Sequence, residues 1–180
     1  NKSLELCLFL SLPATAALLI ASEEITSSLF GYGSFNSLSV KNSSIALFYF
    51  ALGLPAFSML KIFSNFLFAR HNTKMPFYFS VFSVILNIII SVYFFNKIGF
   101  VIIPIATTIS SWFNAILLFI YLINKKYFSL EMNLLMSLLK ITFSTILTSF
   151  AFSSLIKFFS ENLTYKGEYK LITIIFLVIL

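Results

Sequence analysis

The sequence predicts an all-α fold, a polytopic bundle of transmembrane helices. Of its 180 residues, 59% are hydrophobic and 10% are charged, whereas a soluble domain carries about 25% charged residues. A soluble core of this length could not hide so much apolar surface. The apolar residues also form long runs, unlike the alternating strands of a membrane β-barrel. Because helices satisfy their own backbone hydrogen bonds in lipid, we expect helices throughout.

Six apolar segments divide the chain. They cover residues 4–22, 43–68, 76–96, 99–123, 134–159 and 169–180. The first five have about the 20 residues that a membrane crossing needs, and the sixth is too short as it stands. Because the chain begins at Asn1 and stops inside the sixth run, we expect it to be a fragment of a longer membrane protein. The longest connection between segments is residues 23–42.

Positive charge is concentrated in two short connections. Arg70 and Lys74 follow the second segment, and Lys125 and Lys126 follow the fourth. Both connections must lie on the same side of the membrane, and the positive-inside rule places that side in the cytoplasm. The bias is modest, since Lys97 and the lysines of the fifth connection fall on the other side.

Residue types that carry catalysis or bind metals are scarce. The chain has one histidine and one cysteine, and its six acidic residues all lie near segment ends or in connections. No nucleophile–base set, buried carboxylate pair, phosphate loop or metal cluster can be read from the sequence. The cations are scattered and form no basic face. We therefore expect neither an enzyme nor a nucleic-acid partner, and no cofactor.

Lys61 and Asn65 lie one turn apart inside the second segment. An intramembrane cation is costly and usually faces a cavity or a partner, so the two residues could line one face of a substrate cavity. Lys61 is also only about two turns from the basic end of its helix, where its side chain could snorkel to the membrane interface. The sequence leaves both interpretations open.

Prolines interrupt three of the apolar segments. Gly53 and Pro55 lie mid-segment in the second, Pro13 lies in the first and Pro104 in the fourth. A proline inside a helix frees a carbonyl and kinks the helix. Transporters use such broken helices near the middle of the membrane. We expect kinks at these positions in a flexible transport bundle, although proline is frequent in membrane helices generally.

Polar side chains face each other across the third and fourth segments. Asn87 belongs to the third segment, and Thr107 belongs to a polar run in the fourth that also holds Thr108, Ser110, Ser111 and Asn114. The tight connection "NKIG" makes these segments antiparallel neighbours. Their neutral oxygens could coordinate a small cation such as sodium. The alternative is interhelical hydrogen bonding, a routine use of Ser, Thr and Asn in membranes.

Several motifs resemble the MurJ/MviN-type lipid II flippases. The stretch "LSLPATAALLIASEEITSSLFGYGSF" is similar to the ninth helix of that family and the loop after it, through Leu12-Pro13, Leu29-Phe30 and Gly33-x-Phe35. The stretches "VILNIIISVYF" and "GFVIIPIATTISSWFNAILL" resemble the eleventh and twelfth helices. Each piece is weak alone, but their order and spacing are specific.

The stretch "ALFYFALGLPAFSMLKIFSNFLFARHNTKMP" resembles the tenth helix of the family and its cytoplasmic loop. The residues that carry this similarity are Tyr49, Gly53-Leu54, Lys61, Phe68-Ala69, Arg70, Asn72-Thr73-Lys74 and Pro76. The loop departs from the family pattern at Asn72, where Asp is usual, and at Met75, where Thr is usual.

The resemblance implies a fourteen-helix, two-lobed transporter in the bacterial cytoplasmic (inner) membrane. Residues 1–123 would be the last four helices of its C-terminal lobe, and residues 124–180 two additional helices, the last truncated. The whole protein would move lipid II, the undecaprenyl-linked peptidoglycan precursor, between leaflets by alternating access, in contact with membrane lipid. The fragment alone would be inactive. The alternatives are a related polysaccharide-lipid or multidrug exporter and, in another class, a non-transporting membrane scaffold.

The resemblance also assigns roles to a few residues. The family's essential arginines lie in helices outside this fragment. Lys61 is the one residue here to which the resemblance assigns the role of a cavity cation. Some members bind sodium beside the eleventh and twelfth helices, and Asn87 and Thr107 stand where ligands would be expected. Ser91 stands where a carboxylate would help, and this departure weakens the case for an ion site.

Overall fold

The computed structural model describes residues 2–128, 132–159 and 170–179. This part of the chain contains only helices and short turns, which confirms the all-α prediction. The helices are α1 Lys2–Ile20, α2 Ser22–Phe30, α3 Ser37–Ala51, α4 Leu54–Ala69, α5 Lys74–Ile98, α6 Ile102–Asn124, α7 Met132–Phe158 and α8 Lys170–Ile179, with a 3₁₀ turn at Gly99–Val101.

Three helical stretches are long and apolar enough to cross a membrane, namely Lys2–Ile20, Lys74–Asn124 and Leu134–Phe158, and the bent pair of α3 and α4 is a fourth candidate. The stretch Lys74–Asn124 has 51 residues, about 76 Å if straight, far more than a bilayer core of about 30 Å. It is a hairpin of two crossings, because Asn72 bonds Tyr121 and Asn87 bonds Thr107 across it. The five predicted full spans are therefore α1, α3 with α4, α5, α6 and α7.

The hairpin reverses at Gly99. This residue has φ 73° and ψ −152°, a backbone conformation that glycine adopts without steric penalty. The 3₁₀ turn follows at once and leads into α6. Pro104 is the third residue of α6, in the first turn, where its missing N–H leaves no helix bond unmade. The kink expected inside the fourth segment at Pro104 is therefore wrong.

The first connection is shorter than the sequence indicated. Residues 23–42 contain most of α2 and the start of α3, so only residues 31–36 join the two helices. Hydroxyl-rich segments are typical of turns because their side chains compete for backbone groups. Here Thr26 donates to the carbonyl of Ser22 within α2, and the Asn36 side chain caps α3 by accepting from the Ser39 N–H at 2.9 Å. These local bonds allow the polar segment to be helical.

Two apolar clusters hold the bundle together at its opposite ends. The larger one brings together α1, α4, α6 and α7 through Leu4, Leu8, Phe63, Leu67, Leu118, Leu122 and Leu134. It places the start of α1 beside the basic connection after α4. The smaller cluster joins Ala21, Ile156, Ile174 and Leu177. Helix α7 thus packs along α1, and the division of the chain at residue 123 stays a prediction. The fifth connection lies outside the described residues.

Candidate functional site

The second crossing is broken where the sequence combines glycine and proline. Helix α3 ends at Ala51, α4 begins at Leu54, and their axes differ by 45°. Pro55 has no N–H to offer the carbonyl one turn earlier. The N–H of Gly53 donates to the Phe50 carbonyl at 2.9 Å instead of the Tyr49 carbonyl. The bend lies at the predicted pair Gly53 and Pro55, whereas α1 runs through Pro13 without interruption.

Helix α6 supplies donors to the broken segment. The Thr108 hydroxyl donates to the Tyr49 carbonyl at 2.7 Å, and the Trp112 indole N–H donates to the Leu52 carbonyl at 3.0 Å. The sequence predicted that Thr108 faces the third segment, whereas in the structure it faces the broken second crossing. A Cβ on Gly53 would lie 3.1 Å from the Thr108 hydroxyl oxygen and 2.9 Å from the Phe57 ring. Any larger residue at position 53 would therefore push the Phe57 ring and the Thr108 hydroxyl away.

Lys61 and Asn65 share one exposed face of α4. The opposite face carries Phe63 and Leu67, which are 3% and 0% exposed and belong to the larger apolar cluster. The two polar side chains thus point away from the bundle. An open pocket of about 660 Å³ lies between the end of α4 and the first turns of α5, with Ser64 and Lys74 in its lining, and neither Lys61 nor Asn65 lines it. Their role in a substrate cavity stays a prediction.

Asn87 and Thr107 do meet across α5 and α6. The Asn87 amide N–H₂ donates to the Thr107 hydroxyl at 3.1 Å and to the Ser110 hydroxyl at 3.3 Å, and its carbonyl oxygen accepts from Ser91 at 3.4 Å. One helical turn away, the Ser83 hydroxyl donates to the Ser110 carbonyl at 2.6 Å. The polar run of α6 therefore joins the hairpin with a ladder of interhelical hydrogen bonds.

The sodium site at Asn87 and Thr107 stays a prediction. The Thr107 and Ser110 hydroxyls and the Asn87 amide lie together, and their oxygens are of the type that a cation needs. Within the described part of the chain, no cluster of His, Cys, Asp or Glu could hold a metal. The observed contacts correspond to the hydrogen-bonding alternative.

We expect the substitution Asn87→Leu to lower the free energy of unfolding by about 1–2 kcal/mol. It removes two side-chain bonds between α5 and α6 and one bond within α5, and bonds between membrane helices contribute about 0.6 kcal/mol each on average. Thermal unfolding in detergent would measure the loss, with Ile88→Leu on the exposed side of α5 as the matched control. We expect equal melting temperatures in sodium and potassium chloride. Sodium-specific stabilisation that Asn87→Leu abolishes would support the ion-site interpretation.

The two basic connections touch each other. The Arg70 guanidinium lies 4.3 Å from the Tyr127 ring centroid and 4.9 Å from that of Phe66. The Asn72 amide N–H₂ donates to the Tyr121 hydroxyl at 3.0 Å. These aromatic partners could not be identified from the sequence. The contacts fix both connections at one end of the bundle, as the positive-inside argument required.

The other residues of the predicted loop signature start α5. Thr73 precedes the helix without a side-chain cap, Lys74 is its first residue and Pro76 its third. Pro76 is buried, and its position in the first turn leaves no hydrogen bond unmade. The side-chain Oδ1 of Asn72 accepts from the Met75 N–H at 3.4 Å. Asn72 therefore links the turn to both α5 and α6.

The comparisons with known proteins agree with this architecture. The family model "Lipid II flippase MurJ" matches residues 1–174. The chain belongs to the MurJ family. A probable lipid II flippase MurJ of Rhizobium meliloti is 38% identical over 135 residues, covering 75% of this chain and 25% of the relative. Another from Rickettsia prowazekii is 30% identical over 174 residues, covering 97% of this chain and 34% of the relative.

A solved structure extends the similarity to the fold. "Lipid II flippase MurJ, inward closed conformation" superposes with a TM-score of 0.79 at 25% identity, covering 99% of this chain and 36% of that one. The resemblance seen in the motifs is thereby confirmed. As a MurJ-family chain with several apolar crossings, it is part of a multi-pass inner-membrane protein of a transporter family. It spans about a quarter to a third of the length of these relatives.

One buried cation of this MurJ-family chain was not singled out from the sequence. Lys170, the first residue of α8, is 1% exposed. Its ammonium donates to the Gly31 carbonyl at 2.7 Å and lies 4.2 Å from the Tyr32 ring centroid. The bond connects α8 with the end of α2. The sequence offered two signals, a lysine at the start of an apolar run and a glycine directly after α2. No local pattern indicated that these two residues are in contact.

Proposed function

We propose that this chain is part of a lipid II flippase. The whole protein moves the undecaprenyl-linked peptidoglycan precursor from the inner to the outer leaflet of the bacterial cytoplasmic membrane by alternating access. The observation that carries the proposal is the MurJ family match over residues 1–174. The structural similarity over 99% of the chain supports it. The protein acts as a transporter and not as an enzyme, and its partners are lipid II and membrane lipid.

The pyrophosphate of the substrate is anionic, so the cavity that binds it needs positively charged side chains. A cation on the cavity wall would attract the head group, and Lys61 with Asn65 provides one polar stripe on α4. The break between α3 and α4 provides a bend at which the lobe can change shape. The apolar α7 and α8 would lie against the polyprenyl tail in the bilayer. The chain by itself is not expected to transport, because its matches cover only 25% and 34% of the length of these relatives.

Rescue of a host that lacks its resident flippase tests this proposal. The full-length parent gene is expressed while the resident protein is depleted, and growth is scored together with lipid II exposure on the outer leaflet. We expect both to be restored. An empty vector and an equally expressed unrelated multi-pass protein are the controls. A correctly inserted parent protein that restores neither would overturn the proposal, and export of polysaccharide-linked lipid would then be measured.

A further inference from the structure

Helix α6 presents two polar faces to two different neighbours. Thr107 and Ser110 face α5, whereas Thr108 and Trp112, one turn apart, face the broken crossing. Of the two adjacent threonines, Thr107 therefore contacts α5 and Thr108 contacts the break between α3 and α4. The ladder to α5 joins two unbroken helices, while the second pair of bonds ends on backbone carbonyls.

The acceptors of that second pair lie at the break. The Tyr49 carbonyl has lost the donor four residues later, because the Gly53 N–H bonds to Phe50. The Leu52 carbonyl lies between the two helices. Inside a membrane no water replaces a missing backbone partner, so such carbonyls need donors from the protein. Thr108 and Trp112 supply them over a sequence separation of 59 and 60 residues.

We propose that Thr108 and Trp112 are positioning residues that hold α3 at its angle to α4. Their two bonds favour the bent form of the crossing, and Gly53 lets α6 approach closely enough to make them. They thereby set the direction of α3 relative to α4, the half-helix that carries Lys61 and Asn65. The consequence for transport rests on the proposed function, whereas the effect on the bend does not.

Electron paramagnetic resonance on the full-length protein tests the bend directly. Spin labels at the exposed positions Asn42 on α3 and Ile103 on α6, in a background without other cysteines, report the position of the α3 arm. Ten residues separate Asn42 from the break, an arm of about 15 Å, so a 45° change would move its tip by about 11 Å. We expect one main distance in the unaltered protein.

Thr108→Val and Trp112→Phe each remove one donor; valine keeps the shape of threonine, and phenylalanine keeps an aromatic ring in place of the larger indole. We expect each to raise the population of a second distance by about three- to twentyfold, the range that single interhelical bonds in membranes produce. Thr108→Ser keeps the hydroxyl and should restore the single distance. Thr107→Val, which removes the neighbouring hydroxyl on the α5 side, should leave the α3 distance unchanged.

The outcomes separate the bend from the transport step. Unchanged distances in both Thr108→Val and Trp112→Phe would overturn the proposal, and the serine variant distinguishes a lost donor from a poorly folded protein. A shifted distance with an unchanged flipping rate would overturn the positioning role in transport. The distance measurement needs no flipping, so a failed rescue by the parent protein would refute the proposed function and leave the result on the bend standing.

Discussion

Replacing Lys61 with glutamine in the full-length protein is expected to slow lipid II flipping by at least about tenfold. Lys61 is the cation on the exposed face of α4, opposite the packed face that holds Phe63. A charge-assisted bond to an anionic group contributes about 1.5–3 kcal/mol, and 1.4 kcal/mol corresponds to a factor of ten. The measurement is outer-leaflet exposure of lipid II per molecule of inserted protein, with Lys61→Arg expected to retain most of the rate.

Lys140 offers a matched control for this substitution. Lys61 lies eight residues before Ala69, the end of α4, and Lys140 lies eight residues after Met132, the start of α7. Both are exposed, and the larger apolar cluster places these helix ends at the same side of the bundle. Lys140→Gln removes the same charge at a similar depth and should change the rate by less than about twofold. A full rate in Lys61→Gln would show that Lys61 only snorkels to the interface.

Gly31→Ala is expected to lower the free energy of unfolding by about 3 kcal/mol. A Cβ at this position would lie 2.4 Å from the Ser27 carbonyl oxygen and 3.0 Å from the Lys170 ammonium. Forcing extra volume into a packed site costs about 1–3 kcal/mol, and disturbing a buried bond to a charged group adds about 1.5–3 kcal/mol. Thermal unfolding in detergent measures the combined loss.

Two further variants separate these contributions. Lys170→Met removes the ammonium that bonds Gly31 and lies over the Tyr32 ring but adds no volume at Gly31, so we expect about half of the loss. Ser34→Ala, at an exposed position in the same connection, should change the melting temperature little. If Gly31→Ala melts at the temperature of Ser34→Ala, the contact between α8 and α2 does not stabilise the fold.

The sequence by itself determined the properties that depend on neighbouring residues. Long apolar runs specify where the chain crosses the membrane, because about 20 residues suffice whatever surrounds them. The combination of Gly53 and Pro55 specifies a break, because proline removes a backbone donor and glycine gives the chain freedom to bend, whereas Pro13 alone leaves α1 continuous. The tight turn at Gly99 forces α5 and α6 together, and so brings Asn87 to Thr107.

Only the tertiary structure decided which groups complete these local features. The donors to the broken crossing lie 59 and 60 residues away, and Lys170 bonds a carbonyl 139 residues away. The polar segment before α3 was expected to be a connection but contains helix α2, and Pro104 was expected inside a helix but lies in the first turn of α6. Hydropathy and helical period place a residue along a helix, but the rotation of that helix against its neighbours depends on packing. Thr107 and Thr108, adjacent in sequence, therefore face different helices, and no local signal distinguishes them.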